Sequence, residues 1–335
     1  MTKFTRRAVV GAMVASPAIV GAARLGYAAP RVLKISHQFP KDTDFRDRLA
    51  RMFAAEVEKR TKGELKFEIY PGESLMKAVP QFDAVRKGAL DMSVYPLAYA
   101  GPQFQELNIG LMPAMVTSYD QGFAWKKAPI GAELEKAVEN RGAKLITWVW
   151  QAGGIASRAG KIVVPDDVKG LKIRGGSKEM DLMLGASGGI VSSVSSAEIY
   201  PNMQTGTLDA AITSSASLIS YHLDELTKNL TTGRGKSFWY MLEPLIMSKQ
   251  IFDSLPKDQQ TAITEVGLSL EAFATKSSKE DDDRIVGVYK KSEIHDMTDA
   301  DVAKWRTIAE KSAWADFAKR NADCERFLKL AEAVA

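Results

Sequence analysis

The chain has 335 residues, 45% of them hydrophobic, and a formal charge of +4. That length can bury a sizeable core and suggests two lobes. A single cysteine, Cys324, excludes an internal disulfide and a cysteine-based zinc site, and His37, His222 and His295 never approach metal-ligand spacing.

The N-terminus reads as a targeting segment. Met1–Arg7 carries Lys3, Arg6 and Arg7 without an acid, Ala8–Ala23 is uncharged, and Leu25–Pro30 offers small residues where a signal peptidase cuts. Residues 1–28 are therefore assigned to a signal peptide, with cleavage after Ala28 preferred to cleavage after Ala29. Thr5-Arg6-Arg7 resembles a twin-arginine export signal with a loose apolar continuation. The apolar run is short for a membrane span and holds Pro17. Removing 1–28 takes away Lys3, Arg6, Arg7 and Arg24 and no acid, so the formal charge falls from +4 to zero. The electrostatic argument for a nucleic-acid partner falls with it. The expected mature protein is neutral, soluble and periplasmic.

Val32–Ser36 is the first expected strand, followed by the turn His37-Gln38-Phe39-Pro40. Asp42, Thr43 and Asp44 can cap a helix in which Phe45, Leu49, Met52, Phe53 and Val57 recur at helical spacing. Leu65, Phe67 and Ile69 alternate as a strand before Pro71-Gly72. A helix over about 78–87 ends at Gly88, and Leu90–Tyr95 is a strand. A helix over Gly131–Asn140 and a strand over Lys144–Trp150 follow, then Ile155–Arg158 as a strand crossing between lobes. Gly170–Thr213 repeats the β-α-β-α-β order of the first half. Leu171–Arg174 is a strand that delivers Arg174 into the Gly175-Gly176 turn, Ser177 caps the next helix, and Gly206 ends the second one. The segment Phe82–Asp91, FDAVRKGALD, parallels Tyr200–Asp209, YPNMQTGTLD. Asp91 and Asp209 are expected to cap or pair at this repeated joint. Phe238–Lys249 reads as strand, Leu255 to about Tyr289 as one long helix, and Asp299 onward as helical.

In a parallel sheet, ligands sit beyond the carboxyl ends of the strands, where Arg174 falls. A guanidinium is permanently charged and presents a planar fork that fits a carboxylate. Alone, such an arginine reads first as a surface residue paired with Glu179 or water.

The combination of Asp91-Met92, Gly131–Leu134, Asp166–Arg174 (DDVKGLKIR), Glu198–Asp209 (EIYPNMQTGTLD) and Phe252–Gln260 (FDSLPKDQQ) resembles one family over nearly all of the mature chain. It is similar to the DctP-type solute-binding proteins of tripartite ATP-independent periplasmic (TRAP) transporters. The resemblance implies a periplasmic-binding-protein-like α/β fold. Two lobes are joined by crossing strands and a long helix, with the ligand in the cleft between them. The expected boundaries are 29–151 with 240–279 for the first lobe and 152–239 with 280–335 for the second. The resemblance also implies that Arg174 forms the main salt bridge to the ligand carboxylate, and that small and large membrane permease subunits receive the ligand. Three neighbours depart from the family pattern. Thr213 and Ser214 stand where an asparagine is common, Gly153-Gly154 where a second arginine often lies, and Ser196 where an aromatic is frequent. Arg158 is the nearest substitute for the second arginine. Trp150, Phe39, Tyr95 and Trp239 are the aromatic candidates for the cleft, and Ser74 completes the expected ligand-binding set. Trp148, Phe238 and Tyr240 lie in the same stretches, but neighbours on one strand face opposite ways. One anchoring arginine among hydroxyls and aromatics suggests an aromatic or other monocarboxylate, with a C4-dicarboxylate or 2-keto acid as the alternative.

No cofactor and no metal are expected, and the protein is expected to be a monomer or a dimer. A periplasmic enzyme is the rival reading, but Gly185–Gly189 (GASGG), which has the G-x-S-x-G spelling, reads as a helix end and turn rather than a nucleophile elbow, and no clustered metal motif or complete phosphate loop is present in the sequence. An ABC-type binding or sensor protein is the third.

Overall fold

The computed structural model describes residues 29–334, so the assigned signal peptide lies outside the described residues. The chain folds first as β1 (Arg31–Ser36), whose Leu33 and Ile35 are fully buried, and then as the helix Phe45–Arg60. Asp44 caps that helix by accepting from the Arg46 N–H, and Phe45, Leu49, Phe53 and Val57 turn its apolar face onto the sheet. β2 (Leu65–Tyr70), the helix Gln81–Arg86 and β3 (Met92–Val94) complete a parallel unit in the order β2-β1-β3. β4 (Ala143–Thr147) closes the five-stranded sheet.

The second sheet repeats the plan. Beside the long β5 (Trp150–Ser157) lie β6 (Lys172–Arg174), the helix Lys178–Ala186, β7 (Ile190–Val191), the helix Ile199–Gln204 and β8 (Ala210–Ser214). The parallel order is β7-β6-β8, so β6 is the counterpart of β1. The sequence repeat between the halves is a structural joint. Gly88 and Gly206 both take left-handed backbone, at φ 70° and 77°. The aspartate that follows in each half accepts from the central strand: Lys34 N to Asp91 Oδ2 at 2.8 Å and Lys172 N to Asp209 Oδ2 at 2.9 Å.

β9 (Asn229–Thr231) and β12 (Glu293–His295) extend the second sheet. The expected strand over Phe238–Lys249 is two strands that serve different sheets. β10 (Tyr240–Leu242) pairs with β5, and β11 (Leu245–Ser248) runs antiparallel between β3 and β4. Pro244 separates them, because it has no N–H to offer a ladder. The expected crossing strand at Ile155–Arg158 begins earlier, at Trp150, and stops before Arg158. The expected long helix is divided at Leu270 into Lys257–Ser269 and Glu271–Val288. The C-terminal helices brace both halves. Trp305 Nε1 donates to Val163 O and Trp314 Nε1 to Pro113 O, while Arg320 pairs with Glu179 and Arg326 with Glu133. The architecture is two α/β lobes with β5, β10 and the helix Glu271–Val288 running between them. Among the described residues, no helix is long and apolar enough to cross a membrane.

Candidate ligand-binding site

Because β1 and β6 are counterparts, their carboxyl ends face one cleft. The second lobe contributes Arg174, the last residue of β6, at 0% exposure. Ser177 caps the following helix by accepting from Met180 N, and Gly176 packs directly against the guanidinium. Arg174 Nε donates to Val194 O at 3.0 Å, Nη1 to Ile212 O at 2.8 Å and Nη2 to the Tyr99 hydroxyl at 2.9 Å. All three acceptors are neutral. A guanidinium has five N–H groups, so two of those on Arg174 meet no acceptor among the described residues. Glu179, its sequence-level partner, instead pairs with Arg320 at 2.5 Å.

Tyr99, in the one-turn helix Leu97–Ala100 of the first lobe, joins the lobes at this point. Its hydroxyl also accepts from Ser196 N at 3.0 Å and lies 3.1 Å from Ser196 Oγ. Next to it is a cavity of about 410 Å³ lined by both lobes, among them Val79, Tyr99, Asn108, Ser177, Asp181 and Ser193. Burial raises the Asp181 carboxyl above its usual range, against the Ser193 hydroxyl that donates to it and the nearby Arg174 charge. At the end of β1, Gln38 is 1% exposed, yet neither its Oε1 nor its Nε2 has a partner among the described residues. Its carbonyl accepts from the Tyr221 hydroxyl of the second lobe at 2.9 Å.

A second buried guanidinium, Arg46, lies in the same interface, also at 0% exposure. Its Nε and Nη2 form a two-pronged pair with Asp44 at 2.8 and 2.6 Å. Nη1 reaches Glu243 at 2.6 Å and Ser214 Oγ at 3.2 Å, and Nη2 reaches Ser217 Oγ at 2.9 Å. Every N–H is used. The two carboxylates are not equivalent. Burial pushes Asp44 up, but the Arg46 charge and hydrogen bonds outweigh it and hold the group below its usual range. Glu243 is raised by burial, which the single Arg46 contact only partly offsets.

The expected site residues separate into groups. Thr213 is buried on β8, paired with Gly154, one residue beyond the Ile212 carbonyl that holds Arg174. Ser214 is spent on Arg46 and on capping the helix Ser215–Ser220. Phe39 lies under Arg46, whose guanidinium carbon is 3.6 Å from the ring centroid. Tyr95 stands edge-on to Tyr99 at 6.1 Å and donates to Val79 O. Trp239 is fully buried, with Nε1 on Gly175 O at 3.2 Å. Three residues reach neither arginine nor Tyr99. Trp150 packs edge-on against Trp125 at 5.4 Å, fitted over Gly122. Arg158 follows the far end of β5, bonds to Met203 O and lines a separate cavity with Asp209 and Glu225. Arg158 is about 17 Å of extended chain from Gly153. Ser74 is exposed on the loop after β2. Sequence reasoning missed Tyr99, Gln38 and Arg46. Only the position of Gln38 after a central strand could have marked one of them. Among the described residues, no group of three or more His, Cys, Asp or Glu is placed to hold a metal.

Residues 35–321 match the model of bacterial extracellular solute-binding protein family 7, DctP. A solute-binding protein of Albidiferax ferrireducens is 54% identical over 314 residues, covering 92% of this chain and 93% of that protein. The C4-dicarboxylate-binding periplasmic protein DctP of Rhodobacter capsulatus is 27% identical over 312 residues, covering 91% and 92%. The crystal structure of a TRAP periplasmic solute-binding protein from Rhodoferax ferrireducens with bound malonate superimposes with a TM-score of 0.89. It is 53% identical and covers 90% of this chain and 98% of that one. The chain therefore belongs to the DctP family of TRAP solute-binding proteins, whose members are receptors and not enzymes.

Proposed function

We propose that this receptor captures a short organic acid between its lobes, that Arg174 binds the carboxylate, and that the loaded protein delivers it in the periplasm to a TRAP permease of small and large subunits. Arg174 carries the reading. It is a fully buried guanidinium held by Val194 O, Ile212 O and Tyr99 without a carboxylate, with two N–H groups left over. A buried cation without an ionic partner is costly, and a carboxylate that accepts both remaining N–H groups would form a charge-assisted fork. Tyr99 comes from the opposite lobe, so an anion at this point ties both lobes together. The orphaned amide of Gln38 is suited to a further ligand oxygen across the cleft.

Two observations favour a short acid over an aromatic one. The relative at 53% identity holds malonate. Most of the aromatics that suggested a ring-bearing ligand are spent on packing: Trp150 with Trp125, Phe238 stacked on Trp305 at 4.4 Å, Tyr240 against Tyr119 at 5.3 Å, and Phe39 under Arg46. The test is thermal denaturation of residues 29–335 with malonate, succinate, pyruvate and phenylacetate, repeated with Arg174→Ala and Arg174→Lys. Ligand binding to the native state raises the midpoint. Malonate is expected to raise it in the wild type, to do nothing for Arg174→Ala, and to act weakly on Arg174→Lys, which keeps the charge without the fork. An equal rise in wild type and Arg174→Ala would refute the anchoring role.

A further inference from the structure

Trp239 occupies an unusual place beside the anchor. Gly153 N donates to Trp239 O at 3.0 Å, and Ser237 Oγ donates to Gly153 O at 2.7 Å, so the chain before β10 lies directly along β5. Neighbouring residues on that segment face opposite ways. Phe238 and Tyr240 pack outward on Trp305 and Tyr119. Trp239 points inward, 0% exposed. A Cβ added at Gly153 would stand 2.4 Å from Trp239 Cε3 and 2.6 Å from Thr213 O. The indole therefore fills the space where a side chain at position 153 would project. Its other end donates from Nε1 to Gly175 O at 3.2 Å, in the residue next to Arg174.

The strand order is β5-β8-β6. Two strand spacings, about 10 Å, separate β5 from β6. An indole that touches Gly153 on β5 and hydrogen-bonds the turn after β6 must pass β8 near its carboxyl end, where Thr213 and Ser214 lie. That is the edge where a ligand held by Arg174 would extend along the sheet.

We infer that Trp239, seated over Gly153, sets the length of acid that this receptor accepts, by blocking the cleft on the β5 side of Arg174. The inference rests on the anchoring role of Arg174 proposed above. It commits the site to compact acids of about the size of malonate and against acids with a long chain or a ring. Thr213 is then covered by the indole rather than offered to a distal ligand group. The bulk at Trp239 acts as a stop and not as a stacking platform.

The experiment is calorimetric titration of malonate, adipate and phenylacetate into wild type, Trp239→Ala and Trp239→Leu. A tight apolar wall discriminates by about 10- to 200-fold for each methylene that does not fit. Wild type is expected to prefer malonate over both larger acids by about a hundredfold or more. In Trp239→Ala this preference ratio should fall by at least about tenfold, and in Trp239→Leu by less. Trp239→Leu decides the matter if the alanine variant does not fold. A purely structural role would weaken all three acids alike and leave the ratio unchanged, which would overturn the inference. Phenylacetate binding to the wild type as tightly as malonate would also overturn it. An unchanged ratio with malonate binding that still depends on Arg174 sinks this inference alone. A wild type that binds none of the three sinks the anchoring role and this inference together.

Discussion

Arg46 and Arg174 are both fully buried guanidiniums at the interface of the two lobes, and they differ in what surrounds them. Arg46 uses all five N–H groups on two carboxylates and two serine hydroxyls. Arg174 uses three, on two carbonyls and a phenol. The first is neutralised within the protein, with no N–H left for a ligand. The second is positioned rigidly but left without an opposite charge in contact, the arrangement expected of a receptor for an anion. Burial and charge alone do not tell structure from site; the count and charge of the acceptors do.

This contrast can be broken most sharply at Arg46. Arg46→Ala leaves Asp44 and Glu243 buried without their cation, a loss expected to cost about 3–5 kcal/mol. Urea unfolding of Arg46→Ala beside Arg174→Ala should show the larger fall in midpoint for Arg46. Equal falls would mean that the two arginines do the same structural work.

The carboxylates follow the same logic through pH. Asp44, gripped by Arg46, is lowered, so its contribution to stability is present above its unfolded pKa and is lost as pH falls through its folded value. Asp282 is the opposite case. It is 6% exposed and accepts from the Tyr119 hydroxyl at 2.6 Å rather than from a cation, and burial pushes it from 3.8 up to about 7. Its folded form holds a proton that the unfolded chain releases, so stability is full below pH 3.8 and falls as pH rises through about 7. Asp282→Asn mimics the protonated form. It should flatten that part of the stability profile and raise stability at pH 8 by an amount on the order of 1–3 kcal/mol. A profile parallel to the wild type between pH 4 and 8 would count against this reading of Asp282.

Gln38 extends the contrast to an uncharged group. Its amide has no protein partner, so Gln38→Leu should leave the unliganded melting midpoint unchanged or higher. Malonate affinity should drop by about 1–2 kcal/mol. A lower midpoint with unchanged affinity would assign the amide to the fold. The smallest effect is expected at Ser217, one of the five acceptor contacts of Arg46: Ser217→Ala should cost about 1 kcal/mol. Ligand affinity should be unaffected.

The sequence made the scaffold of the site legible because the scaffold is local. A strand, a glycine turn and a serine cap place Arg174 within a few residues, and the repeated Gly-x-Leu-Asp joint announces the second lobe as a copy of the first. The partners were not legible because they are distant. Tyr99 meets Arg174 across 75 residues, and Glu243 meets Arg46 across 197. In the run DFRDRLAR, Arg46 looks like any helix-surface arginine. Distant partners bury it: the helix Ser215–Ser220 of the other lobe and Glu243, with Phe39 beneath its guanidinium. The expectation that only one of Trp148 and Trp150 meets the cleft does not follow from alternation, because residues two apart on one strand share a face. The structure breaks the strand between them, with β4 ending at Thr147 and β5 starting at Trp150, and the helix Tyr119–Lys127 places Gly122 under the Trp150 ring. Arg158 was expected near Arg174 because it is the arginine nearest to Gly153-Gly154-Ile155, where the family often has a second one; β5 runs from Trp150 to Ser157 and carries Arg158 past its far end.

The most direct test is a crystal structure of the protein with malonate. One carboxylate is predicted to accept from both Nη1 and Nη2 of Arg174, with the Asp44–Arg46–Glu243 cluster unchanged. Malonate seated against Arg46 in place of Asp44 or Glu243, or bound away from Arg174 while that residue keeps only its three protein contacts, would contradict the account.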